Sequence, residues 1–304
     1  MSFLDTFREM LVILFGIAVG YLAHRLGYLG GEIDQKISKI ILNITMPCLI
    51  IAAVATGDAL PGTAAILSVL KVAVVFYGME LLVAAVLPRL LGGTDKQQGV
   101  WRYTLVFPNM AFIGYPVSVA IFGPEALFYA VILVLPFNLL SYSLGPLMLA
   151  GRAKFRWQQL TSPCIIAAVI ALVVALGRIP LPAMVGECAG FVGDLTTPLS
   201  LLVVGSLLAG LPVKRVFASL RLWVLTAVRL LGLPALLWVL LRWITVEPPM
   251  VAGIAVILMA MPTAVNGTML SMEYGGDTDS MAQGTFLTTL ISIVTIPVIA
   301  AWLL

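Results

Sequence analysis

"LVFPNMAFIGYPVSV" (105–119) decides how this chain folds. It lies in an apolar run, 99–121, long enough to cross about 30 Å of hydrocarbon as a single helix. Yet Pro108, Asn109, Gly114 and Pro116 fall within nine of its residues. Each proline removes a backbone donor, and its ring collides with the preceding turn. An asparagine amide in hydrocarbon is costly unless something pairs with it. Poor helix formers at that depth predict a helix left unmade. Such backbone survives in a membrane only when buried in protein or lining a wet cavity.

Working outward, the whole chain reads as an all-α integral membrane protein. Of its 304 residues 61% are hydrophobic and only 10% charged, where soluble domains carry about 25% charged residues. Spans are expected at 7–24, 37–57, 65–88, 99–121, 125–149, 162–178, 185–210, 218–242, 249–272 and 281–303. The opening "MSFLDTFREMLVILF" has acids ahead of its apolar run and reads as a retained first span, not a cleaved signal. Ten spans put both termini on one side. Loops after odd-numbered spans hold twelve Lys and Arg, from Arg25 to Arg221, against Arg8, Arg178 and Arg242 on the other face. By the positive-inside rule both termini lie outside the plasma (inner) membrane. No polar stretch is long enough to house a soluble domain, and nothing points to nucleic acid.

The two halves match. "NITMPCLIIAAVA" (43–55) aligns with "DLTTPLSLLVVGS" (194–206), setting Asn43 over Asp194, Thr45 over Thr196 and Pro47 over Pro198. Pro108 follows 61 residues after Pro47, and Pro262 64 after Pro198. Pro262 belongs to "MAMPTAVNGTMLSMEYGGD" (259–277), a second span interrupted by Pro, Asn and Gly. The interrupted spans are therefore four and nine, equivalent positions in five-span halves. Five is odd, so the halves must cross in opposite senses. Such an inverted repeat with matched broken helices points to a transporter's central site. Residues 1–150 are the first repeat, 151–161 a short cytoplasmic linker and 162–304 the second repeat.

In these segments the chain resembles the auxin efflux carrier family, specifically its shorter bacterial members. The resemblance rests on "NITMPCLI", "FPNMAFIGYPV", "MPTAVNGTML" followed by "EYGGD", and the short central loop, and it covers essentially the whole chain. It implies that helices one, two, six and seven form a scaffold while helices three to five and eight to ten form a transport domain in which four and nine cross. It also implies a small organic anion as substrate, a mono- or dicarboxylate such as malate, malonate or an auxin-like acid.

Asparagine offers a donor and an acceptor without fixed charge, so Asn109 and Asn266 are the first candidates for substrate contact. Pro108, Gly114, Pro262 and Gly267 shape the breaks around them. Asn43, Thr45 and Thr196 either line the facing wall or serve carbonyls freed by Pro47 and Pro198; Asn138 on span five is a weaker candidate. Glu80 and Arg229 are expensive at membrane depth. Their distances from the inner ends of spans three and eight differ by about 4–5 Å at 1.5 Å per residue, so they are expected to pair. Whether as structural pair or coupling group stays open, as it does for Asp194.

The absence of HExxH, GxGD and GxxxxGK[ST], with one histidine, leaves little for an enzyme, a bound metal or an ATP-driven pump. The reading is a secondary carrier working by alternating access; a channel-like facilitator or a non-transporting sensor on the same fold is the alternative. It needs no cofactor beyond a coupling cation, H+ or Na+. Its partners are the anion and the lipid bilayer, with a homodimer compatible.

Overall fold

The computed structural model describes residues 3–55, 62–150, 162–177, 179, 181–210 and 219–303. The expected linker 151–161 and the basic residues Arg152, Lys154, Arg156, Arg178, Lys214 and Arg215 lie outside them. Within the described residues the protein is helical, with one isolated antiparallel bridge. The helices are α1 (Phe3–Arg25), α2 (Gly31–Ala55), α3 (Thr63–Leu91), α4 (Asp95–Val106), α5 (Met110–Phe122) and α6 (Ala126–Ala150). After them come α7 (Pro163–Gly177), α8 (Ala183–Gly210), α9 (Leu220–Leu241), α10 (Met250–Met259), α11 (Asn266–Tyr274) and α12 (Thr278–Leu303). Five of these, α2, α3, α8, α9 and α12, are long and apolar enough to cross a membrane. The 99–121 and 249–272 runs are each two shorter helices, divided at 107–109 and 260–265.

Large apolar side chains cover the outside: Phe15, Val74, Leu82, Leu90 and Phe191 are all more than 70% exposed. In water that surface would aggregate; lipid is its solvent. The interior holds Phe76, Tyr103, Phe107, Met110 and Ile113.

Two packed groups share the chain. In one, α1 lies along the second part of α8, and the second part of α2 packs on α7 and the first part of α8. The first helix of each half thus meets the second helix of the other. Glycine sets the closeness. A Cβ on Gly20 would strike the Leu202 carbonyl and one on Gly205 the Ile17 carbonyl, so the α1 and α8 backbones touch. The other group comprises α3, α4, α6 and α9–α12, with α5 wedged between it and the α1–α8 pair.

Among the described residues three helices widen into a π turn, at Ile41–Thr45, Met110–Gly114 and Val228–Gly232. Each ends two residues before a proline, Pro47, Pro116 or Pro234. A proline ring presses on the carbonyl four residues back, here Asn43, Phe112 or Leu230, the middle residue of each wide turn. Widening the turn relieves the clash. Pro198 acts on Asp194 in the same way, and α8 loosens into a turn at 194–195. Proline alone does not decide this: Pro88, Pro136, Pro146 and Pro297 sit in helices that keep α-helical winding.

Candidate functional site

The two interruptions meet. Phe107–Asn109 runs antiparallel to Pro262–Ala264, with Pro108 opposite Thr263. Asn109 N–H donates to the Pro262 carbonyl at 2.6 Å, and Ala264 N–H to the Phe107 carbonyl at 2.9 Å. In an unbroken helix Asn109 N–H would serve the Leu105 carbonyl. Turned across the gap, it serves the other chain segment and leaves Leu105 without its helical partner. Pro108 and Pro262 suit this place because neither has an N–H to strand. The Thr263 N–H donates to Thr288 Oγ1 on α12 at 3.2 Å, and that hydroxyl donates to the Gly284 carbonyl at 2.8 Å.

The side chains complete the geometry. Asn109 Oδ1 accepts the Phe112 N–H at 3.2 Å and so caps α5, while its Nδ2 and the Thr263 hydroxyl have no protein partner. Asn109 is only 3% exposed. An unpartnered buried donor typically costs about 1–3 kcal/mol, which any acceptor reaching this amide would offset. A Cβ on Gly114 would come 2.7 Å from Leu258 Cδ2, so glycine lets α5 pack closely on α10 beside the crossing. A Cβ on Gly267 would come 2.6 Å from Tyr103 Cε1 and would strike the methyl of Met281.

Behind the crossing sits the charge. Arg229, in the π turn of α9, places Nη1 2.9 Å from Glu80 Oε1 on α3, and both side chains are fully buried. The same Nη1 donates to the Leu105 carbonyl at 2.9 Å, and Nε donates to the Met261 carbonyl at 3.3 Å. The guanidinium therefore holds one carbonyl from the helix end that leads into each interruption, Leu105 in the last turn of α4 and Met261 just past α10. Those are the negative ends of α4 and α10. Glu80 Oε2 and Arg229 Nη2 have no protein partner.

Other candidates lie elsewhere. Thr196 Oγ1 donates to Thr45 Oγ1 at 2.9 Å, joining α8 to α2 at the aligned threonines. Asn43 is exposed and donates Nδ2 to its own helix at the Lys39 carbonyl, 2.8 Å away. Asp194 is also exposed, in the α8 turn. The side chains of Asn138 and Asn266 lie outside the described ones; the Asn266 backbone begins α11. A small, mostly apolar cleft opens where α1, α5 and α12 meet, lined by Ile17, Ile113, Val117, Thr289 and Ser292 among others. None of the candidate residues lines it.

Sequence reasoning missed two features. The carbonyls of Leu105 and Met261 carry no residue-type signal; a proline three residues after Leu105 and one after Met261 was the only hint. The second is a polar tie at the end of α1. Ser206 Oγ donates to Asp34 Oδ2 at 2.6 Å and lies 2.9 Å from His24 Nδ1, linking α1, α2 and α8. Asp34, flanked by Glu32 and Lys36, looks solvated in the sequence but is 2% exposed.

Apolar helices with lipid-suited outer faces, enclosing paired broken helices and a buried ion pair, are those of a multi-pass membrane protein. The family model described as "Membrane transport protein" matches residues 5–156 and 147–300. The chain belongs to that family, the auxin efflux carriers. It is 24% identical over 314 residues to an "Uncharacterized transporter" of Methanothermobacter thermautotrophicus, covering 98% of each chain. A second "Uncharacterized transporter", from Methanocaldococcus jannaschii, is 25% identical, covering 96% of each. A Rhizobium meliloti protein named "Putative malonate transporter" is 22% identical over 92% of this chain and 90% of its own. The protein is a membrane transporter.

Proposed function

We propose that this transporter is a secondary carrier of a small organic anion, a mono- or dicarboxylate. It works by alternating access at the crossing of its two broken helices. The observation that carries the reading is the unpartnered Asn109 Nδ2, buried where two interruptions pair backbone to backbone. An amide donor beside the first turn of α5 suits a carboxylate, since helix N-termini carry the positive end of the dipole. Asn266 opens α11 on the other side and takes the matching role. The relative named for malonate agrees in chemistry.

In this reading the chain is two inverted five-helix repeats. The contact of aligned Thr45 and Thr196, and the reciprocal packing of α1 on α8 and α7 on α2, support it. The helices α1, α2, α7 and α8 are the scaffold, and the crossing moves against them along the seam where α5 meets α1 and α8. The termini face outward across the plasma membrane. Nothing in the mechanism asks for catalysis, since transport needs only binding and a change of access.

The test is the thermal midpoint of the purified protein against a panel of mono- and dicarboxylates, with and without sodium, at two pH values. A ligand of the folded state raises the midpoint by mass action. A carboxylate-specific rise, lost in Asn109→Ala and Asn266→Ala, is the expected result. A rise with neutral or cationic solutes and none with anions overturns the substrate class.

A further inference from the structure

We propose that the Arg229 guanidinium stands where a coupling cation would bind, so that this carrier holds its cation covalently. The proposal rests on the carrier reading above. Three oxygens converge on this group: Glu80 Oε1 at 2.9 Å, the Leu105 carbonyl at 2.9 Å and the Met261 carbonyl at 3.3 Å. A carboxylate with backbone carbonyls is the donor set that hard cations take. Carriers with broken helices place sodium at the unwound carbonyls and C-terminal ends of the half-helices, and Leu105 and Met261 lie at such ends. Nη1 uses one hydrogen on Glu80 and the other on Leu105, and Nε serves Met261. One fixed charge thus satisfies all three oxygens.

The consequence is electrical. A guanidinium keeps its proton in proteins, so the cluster is neutral before any substrate arrives and no dissolved cation is required at this position. Asp34, the other buried carboxylate among the described residues, is engaged by Ser206 and by the Gly30 N–H in the α1–α2–α8 group. The anion then moves without a countercharge from this cluster. An inside-negative voltage drives it outward.

A merely structural ion pair does not predict that salt can replace the arginine, and the test turns on that. The thermal midpoints of the full-length wild type, Arg229→Ala and Glu80→Gln/Arg229→Ala are compared in sodium, potassium and choline chloride at one ionic strength. The wild type is expected to have one midpoint in all three salts. Arg229→Ala is expected to fall, then to rise with sodium or potassium over choline, the rise growing with the logarithm of concentration once the site is saturated. The double variant loses that selectivity. A sodium-selective rise in the wild type overturns the proposal. So does an Arg229→Ala protein that is unfolded in every salt, or folded and indifferent to the choice. A second readout needs no variant: efflux of labelled malonate from vesicles holding the wild type stays unchanged when choline replaces sodium, and a sodium requirement overturns the proposal. If no carboxylate shifts the wild-type midpoint or is carried, it is the anion reading that fails, while the salt comparison of Arg229→Ala still decides the cation.

Discussion

The two halves of the chain meet at two seams built in opposite ways. At the Thr45–Thr196 seam the contact is hydroxyl to hydroxyl, and close glycine packing surrounds it: a Cβ on Gly193 would come 2.7 Å from Leu49 Cα. At the 107–109 and 262–264 seam the contact is backbone to backbone, with the Asn109 amide and the Thr263 hydroxyl left unpartnered. The first seam joins helices that widen or loosen for one turn and then run on. The second exists only because two helices are broken, and a single arginine from a third helix gathers up the carbonyls that the break releases. On the proposed function, stability belongs to the first seam and binding to the second.

The largest effect that sharpens this contrast is expected at Arg229. Arg229→Met leaves Glu80 buried and unpaired, which typically costs about 3–5 kcal/mol. Glu80→Leu/Arg229→Met should recover the charge part of that loss, because both ions are then gone; the orphaned carbonyls keep it short of wild type. Denaturation midpoints measure this, and a double variant as damaged as the single one breaks the pairing argument. Next comes Gly205→Leu, which drives a side chain into the Ile17 backbone; overpacking of this kind costs about 1–3 kcal/mol or more. Gly190→Ala on the same helix is its control: a Cβ there meets nothing within 4 Å. It should be neutral or slightly stabilising by the propensity difference. Equal losses from both would mean that helix α8 is sensitive everywhere and the glycine contact is not special.

The helical fold was legible because apolar run length and interrupting residues are local properties. Among the described residues the expected apolar runs overlap observed helices, five of them long and apolar enough to cross a membrane, and the two interrupted runs are the divided ones. The polar centre was legible only in part. Pro108, Asn109 and Pro262 announce themselves as misfits in a hydrophobic run, whereas Leu105 and Met261 contribute carbonyls that every residue has. Asn43 and Asp194 look alike in the alignment of halves and are both exposed, because the position rather than the residue type is shared. Asp34 sits among charged neighbours, and only the tertiary approach of α8 buries it. Local chemistry shows where a helix must fail; it does not show which distant side chain supplies the missing partner.

A smaller loss is expected from Thr45→Val, about 1 kcal/mol for one hydrogen bond with its partner left behind; Thr45→Val/Thr196→Val should lie close to wild type because both polar groups are gone. A double variant worse than the single one would show that the hydroxyls have further partners and that this seam is not closed.

The smallest effect on stability, and the most telling for function, is expected at Asn109. Its two polar atoms do different work: Oδ1 caps α5 through the Phe112 N–H, and Nδ2 is the unpartnered donor. Serine is as good a capping residue as asparagine but has no amide. Asn109→Ser should therefore hold the denaturation midpoint within about 1 kcal/mol, where Asn109→Ala loses the cap and costs about 0.5–2 kcal/mol. Both should lose the carboxylate-dependent rise in melting temperature, because the donor is absent from each. If Asn109→Ser keeps that rise, the asparagine is a helix cap and the crossing binds its anion through backbone N–H groups alone. The second seam would then resemble the first, a structural junction whose side chains serve the fold.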